Sequence, residues 1–426
     1  MALDEKIKVL LEKGVNMPLP QSVFIGDEID LSRISGEGVS FYPGTRITGK
    51  KTLIMEGASI GFEAPVTLDD VFVGPGTRLG GGFFQKCLFA GSNTFGSGAH
   101  VRGGTILEEE ACAAHTVGLK QTILFPFVTL GSLINFCDCL MAGGTSRKDH
   151  SEVGSSFIHF NYTPNQDKAT PSIFGNVYQG VMLNCKPVFL GGQGGVVGPC
   201  RLPFGTVTAA GTIWRKDVAE EGRLLFGGAM KEGSIRRTTG IYTDIKRIFM
   251  NNCRYIAALI SLLYWYRNVR ALFVSSLHEK YLFKGMKDTL EIAIDERIKR
   301  LGDFVDRLKK SRHLQSGKAL EPIIEQWQSV HELFINKKDP TIPFDPITHF
   351  NDASIPLNDS AILFNEDSDK LFSRFIPYVE KNIRLYGSSY VKVIKNLEPS
   401  ASLAGSNWLE SMENTIIRQI SDLMKF

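Results

Sequence analysis

The stretch FFQKCLFAGSNTFGSGAHVRGGTILEEEACAAHTVGLKQTILF, residues 83–125, returns an apolar residue at every sixth position: Phe83, Phe89, Phe95, Val101, Leu107, Ala113, Leu119 and Phe125. A helix would space its apolar residues near 3.6 and a two-faced strand at 2. A period of six therefore selects a solenoid of short strands joined at sharp corners. A Gly-rich β-sandwich would alternate with period two, and this stretch does not. The period recurs at Ile54, Ile60, Val66 and Phe72, then at Val177, Leu183 and Phe189, and at Val207 and Ile213. It skips Arg78, Gly195 and Arg201, where irregular coils are expected. Glycines such as Gly57, Gly61, Gly74, Gly76, Gly91, Gly96, Gly98 and Gly103 suit the corners.

Working outward, the chain of 426 residues has room for two cores, and most of its 42 glycines precede Gly240. Beyond that point Leu, Ile, Lys, Glu and Arg dominate. The expected organisation is a helix and lead-in over 1–19, a solenoid over 20–240 with an inserted loop at 141–172, and an α-helical domain over 241–426. Within that domain, YIAALISLLYWY (Tyr255 to Tyr266) is bracketed by Arg254 and Arg267. It falls short of the ~20 apolar residues that cross a bilayer, so it reads as a core helix or a subunit-contact helix. Phe283, Met286, Leu290, Ile294, Ile298, Leu301, Phe304 and Leu308, at spacings of three and four, predict a long amphipathic helix. Further helices are expected over 319–336, 367–385 and 404–424, with a connecting loop from Pro340 to Pro356.

A formal net charge of +3 argues against general attraction to nucleic acid or anionic membrane. The seven cysteines, at 87, 112, 137, 139, 185, 200 and 253, are odd in number and form no CxxC pair. They read as packing residues of a reducing compartment, with no disulfide frame and no metal site, and the expected location is cytoplasmic. The start, MALDEKIKVLLEKG, lacks the apolar core of a secretion signal. His278 with Glu279 and His331 with Glu332 lack the second histidine of a zinc-binding helix.

One segment, MAGGTSRKDHSEVGSSFIHFNYTPNQDKATPS (141–172), leaves the period and holds two of the eight histidines. Excursions from a rigid scaffold are where function tends to sit. Within it, EVGSSFIHFNYTPNQDK (Glu152 to Lys168) is similar to the Asn-Tyr-Asp-Gly-x-Asn-Lys loop of the left-handed β-helix (hexapeptide-repeat) acyltransferases. VTAAGTIWRKDV (Val207 to Val218) is similar to the last coil of that family, and KGVNMPLPQSVFIGDEIDLSRI (residues 13–34) to its entry. Within the family, the chain resembles the acetyltransferase half of the bifunctional enzymes that make UDP-N-acetylglucosamine from glucosamine 1-phosphate.

The resemblance implies a left-handed parallel β-helix, a homotrimer, acetyl-CoA or another acyl-CoA as co-substrate, and a sugar phosphate or nucleotide sugar as acceptor. By it Lys120, Asn161, Tyr162 and Lys168 hold the sugar and its phosphate, and Ala209 and Ala210 lie along the pantetheine arm. The family's Ala-Gly-His-Leu-x-Tyr motif aligns with Leu130 to Asn135. Ser132 therefore stands where the catalytic histidine would be, and Asn135, on the substrate side, where the tyrosine would be. A lone serine does not accept a proton near neutral pH, so His115, His150 and His159 are the candidate bases. No Gly-rich nucleotide loop precedes the coil, and uridylyl transfer is not expected. Two functions remain open: an acyltransferase, or a sugar-ligand binding or scaffold protein that has lost the base.

Overall fold

The computed structural model describes residues 3–228, 232–315, 317–339 and 364–425. Strands of two to four residues form three parallel sheets of ten, eight and ten strands. The chain visits the sheets in rotation, each strand pairing with the strands one coil before and after, in a solenoid of about 11 turns. Face I begins at Phe24–Ile25, face II at Leu53–Ile54 and face III at Ser40–Phe41. The hydrogen bonds run along the solenoid axis, and inward side chains fill the prism.

The inward series is Leu68, Phe84, Val101, Leu119 and Phe136 on face I, and Val73, Phe89, Leu107, Leu124 and Met141 on face II. Six of the eight residues in the opening run point into the prism, but Phe83 and Phe125 do not, Phe125 being buried outside it against Gly180. Their neighbours Phe84 and Leu124 take those places, while Phe83 stacks outside on His100 at 5.3 Å. The reason lies at the corner between faces I and II, which is turned by a single left-handed residue at Asp70, Lys86, Gln121 and Asp138. Crossing it at those four coils takes five residues, not the six of Val101 to Leu107. The same offset puts Phe72, Phe189, Val207 and Ile213 outside, with Val73, Leu190, Thr208 and Trp214 in the inward register. Val177 and Leu183 belong to no coil strand.

The stretch 141–172 is not one insertion either. Glu152–Val153 and Ile158–Phe160 are coil strands on faces III and I, which split it into a hairpin (Gly144–Ser146 with Asp149–His150) and a loop at 161–171.

Helix α1 (Glu5–Glu12) seals the first coil: Lys6 donates to the carbonyls of Gly26 and Asp27, each at 2.7 Å, and Lys13 to those of Leu31 and Ile34. The short α2 (Val177–Gly180) follows the strand Ser172–Phe174. After the last strand, Leu224–Leu225, come α3 (Ile245–Asn268), α4 (Leu277–Lys310), α5 (Leu320–Lys338), α6 (Glu366–Tyr386), α7 (Tyr390–Lys395) and α8 (Pro399–Met424). The final helix begins five residues ahead of its predicted start because Pro399, at its first position, has no N–H to satisfy there. The loop expected from Pro340 to Pro356 lies outside the described residues. Tyr255 to Tyr266 is the buried middle of α3, against which α4, α5 and α8 pack. No described helix is long and apolar enough to cross a membrane.

Face II differs from the other two. Its outward residues Leu53, Phe72, Leu88, Ile106, Ile123, Leu140 and Ile173 are buried like their inward neighbours. Helix α4, opened by a Ser276–Glu279 capping box, lies across four strands of this face. Gly285 permits the approach, since a Cβ there would collide with the Phe72 ring. Polar pins flank the apolar seam. The Tyr266 hydroxyl donates to Glu108 at 2.6 Å, and Arg270 pairs with both oxygens of Glu109 while lying 3.7 Å from the centre of the Tyr390 ring.

Candidate functional site

The edge between faces I and II is built by repetition. Arg102 and Lys120 follow aligned inward residues, Val101 and Leu119, on consecutive coils. Lys120 pairs in register with Cys137, one residue before the corner at Asp138. The next coil runs through Ile158–Phe160 and leaves the prism as the 161–171 loop, which carries Asn161, Tyr162 and Lys168. Lys120 and, two coils on, Asn161 and Lys168 thus reach one edge, successive coils lying ~4.8 Å apart with Asp138 on the coil between. Helix α4 walls that edge with Glu296, Arg297 and Arg300. Partial burial, with Lys168 and Arg102 nearby, holds Lys120 below the usual lysine range against the pull of Glu296 and Asp138. Glu296 is held below the usual carboxylate range despite its burial, through its pairing with Arg300 at 2.8 Å and the charges of Arg297 and Lys120. The result is a ledge with several cations on one side and a paired carboxylate on the other, suited to an anionic phosphate group.

Beneath the ledge lies an ion pair sealed from solvent. Asp138 and Arg297, each 2% exposed, meet at 2.9 Å. The other Asp138 oxygen accepts from the Asn161 amide at 2.6 Å, and Arg297 reaches the Lys168 carbonyl at 3.5 Å. Sequence reading missed both members of the pair. Their signals were present: Asp138 interrupts the run Phe136 to Met141, and Arg297 sits within the apolar stripe between Ile294, Ile298 and Leu301. Tyr162 is 56% exposed beside this site.

The other predicted residues are dispersed. Asn135 faces outward on face I, where its carbonyl accepts from the Cys137 thiol at 3.1 Å. His115, Ser132, Ala209 and Ala210 lie on the edge between faces III and I, across face I from the ledge. His115 is exposed and its Nδ1 is 3.3 Å from the Thr116 hydroxyl. His150, on the hairpin between faces II and III, sits 3.7 Å from Glu152 and hydrogen-bonds the Arg147 carbonyl at 3.0 Å.

His159 takes an inward position on face I, in register with Val196 and 1% exposed. Its Nδ1 lies 2.7 Å from the Cys137 carbonyl, which can only accept, so Nδ1 carries the proton. Its Nε2 then accepts from the Ser172 hydroxyl at 2.7 Å, whose oxygen in turn accepts from the Cys200 amide at 3.0 Å. This is a neutral core histidine, closed to any substrate. Burial pushes its pKa down to about 4, against the opposing pull of Asp138. The sign follows: the unfolded imidazole charges near 6.5 and the folded one near 4, so stability present above pH 6.5 is lost as pH falls toward 4. The loss from this residue is on the order of 3 kcal/mol. Urea unfolding at pH 7 and pH 4.5 should show a shallower pH slope in His159→Leu than in the unaltered chain; equal slopes would exclude the assignment.

A cleft of about 290 Å³ opens on the far side of α4, lined by Arg270, Glu109, Glu110, Phe283, Met286 and Tyr390 among others. It holds none of the predicted site residues.

No protein-family model matches the chain. Sequence comparison finds curated relatives named bifunctional protein GlmU. The Thermus thermophilus protein is 29% identical over 151 residues, which are 35% of this chain and 30% of the relative. That of Thermotoga maritima is 25% identical over 214 residues, 50% of this chain and 42% of the relative. That of Nocardia farcinica is 25% identical over 221 residues, 52% and 40% respectively. In each case the match spans less than half the relative's length.

Proposed function

The chain resembles the hexapeptide-repeat acetyltransferases, and among them the acetyltransferase half of GlmU; from that premise we propose that it is an acyl-CoA-dependent acyltransferase acting on a sugar phosphate or nucleotide sugar. The observation that carries the reading is the convergence onto one edge of Lys120 with Asn161 and Lys168, which lie two coils further on. Lysine ammoniums suit a phosphate as point charges, and the flanking loop offers amide and hydroxyl groups to a sugar.

The acyl donor, acetyl-CoA in this proposal, takes the opposite edge of face I. The corners there are built of small residues, Gly131, Gly154, Gly191, Gly192, Ala209 and Ala210, along which a pantetheine arm would run on this reading. His115 is the base on this reading, because it alone of the three candidates is exposed on that edge. The acceptor nitrogen or oxygen attacks the thioester carbonyl and gives its proton to the imidazole. The carbon–sulfur bond then breaks, and the proton passes to the departing thiolate. The two edges lie on opposite sides of face I, so the site is completed by the ledge of a second copy, in keeping with the proposed homotrimer. Its proposed location is cytoplasmic and its fold left-handed, both by family likeness.

Acetyl-CoA, glucosamine 1-phosphate and UDP-N-acetylglucosamine should each be titrated by calorimetry, and thiol release followed with acetyl-CoA and each sugar together. Lys168→Ala is expected to weaken sugar binding about tenfold or more. His115→Ala should lower turnover by roughly 10²–10⁴ while sugar binding persists. Sugar binding with no acetyl-CoA binding would overturn acyl transfer in favour of a binding protein.

A further inference from the structure

The 161–171 loop carries three of the proposed ligand residues, yet little of its anchorage comes from the solenoid. Arg307 of α4 donates to the Asn165 carbonyl at 3.0 Å. The Asn165 side chain donates to the Ile241 carbonyl at 2.8 Å and accepts from the Gly240 amide at 3.0 Å, and Arg237 donates to the Pro164 carbonyl at 2.5 Å. These contacts fix the tip of the loop. Its two stems, Asn161 and Lys168, are fixed by Arg297, one through Asp138 and the other through the Lys168 carbonyl.

We propose that Arg297 is a positioning residue for the sugar-phosphate ledge, so that the helical region sets the ledge's affinity from within the same chain. The inference rests on the ligand reading above and adds to it a residue that touches no ligand. One guanidinium serves both stems because its planar fork presents several N–H groups in fixed directions. With Arg297 engaged, Asn161 is turned to Asp138 and the Lys168 backbone is held at the edge, leaving its ammonium toward Lys120. Without it, the carboxylate of Asp138 loses its counter-charge beneath Asn161 and Lys168 loses its carbonyl contact, leaving that stem held beyond it, where the Ala169 carbonyl accepts from Asn252 of α3 at 3.0 Å, while the acyl-donor edge across face I is untouched.

The test uses the full chain, Arg297→Lys, and the doubly neutral Arg297→Gln with Asp138→Asn, which avoids leaving a charge buried alone. Amide hydrogen exchange over 161–171 is read beside calorimetric Kd values for glucosamine 1-phosphate, UDP-N-acetylglucosamine and acetyl-CoA. In the doubly neutral chain, exchange across the loop should quicken and the sugar-ligand Kd rise, each by on the order of tenfold or more, with the acetyl-CoA Kd unchanged. Arg297→Lys keeps the charge facing Asp138 but loses the second arm, and should fall between. Unchanged loop exchange overturns the proposal, as do an unchanged sugar-ligand Kd and an equal loss of acetyl-CoA binding. If the unaltered chain binds no sugar ligand, the ligand reading fails, and the loop exchange rates alone uphold or overturn the clamp.

Discussion

Asp138→Ala is expected to destabilise the folded chain by about 3–5 kcal/mol at neutral pH. The loss exceeds that of an exposed ion pair because Arg297 is 2% exposed and Glu296, the other carboxylate near it, is already paired with Arg300. Among the described residues its remaining hydrogen bond is the long one to the Lys168 carbonyl, and its Nε is without a partner. Removing the carboxylate strands a guanidinium in the interior and also deprives Asn161 of its acceptor. Replacing both charges together, as Asp138→Leu with Arg297→Met, should recover most of the loss, since well-packed apolar residues are often as good as a buried pair. Urea denaturation of the single and double variants checks this. A single-variant loss below ~1 kcal/mol would mean that solvent reaches Arg297.

The second large effect concerns the coil register. Phe84→Ala should cost about 3–5 kcal/mol and Phe83→Ala about 1 kcal/mol or less, although the two residues are adjacent and identical. Phe84 meets Phe89 and Phe95 edge to face, each with ring centres 5.7 Å apart, inside the prism. Its truncation opens a cavity that the short, hydrogen-bonded strands cannot close. Phe83 loses only a half-exposed stacking contact with His100. Equal losses from the two variants would contradict the five-residue corner.

That corner also marks how far the sequence could be read. The period of six exposed the solenoid, and the three-four spacing exposed α4, because each is a local pattern repeated many times. The offset at Phe83 and Phe125 was hidden because a corner turned by Lys86 or Gln121 in a left-handed conformation looks like any polar position. A second signal was present and went unread. Leu53-Ile54, Phe72-Val73, Leu88-Phe89, Ile106-Leu107, Ile123-Leu124 and Leu140-Met141 are apolar doublets one coil apart. A strand apolar on both sides is one covered on both sides.

At the candidate site, Lys120, Asn161 and Lys168 were legible only through likeness to a family. The Asp138–Arg297 pair joins residues far apart in the chain, which no local pattern discloses. His159 could be judged only once its register showed it pointing inward.

The apolar doublets on face II have a consequence for how the protein is made. The solenoid is synthesised first, and its coils can stack as they emerge, each needing only the one before. Face II then stands bare until α4 arrives. At ordinary elongation rates the stretch from Leu225 to Lys310 takes on the order of ten seconds to appear. Throughout that interval the nascent chain displays an apolar strip running across seven strands, a surface that chaperones hold and that neighbouring nascent chains on one message would join.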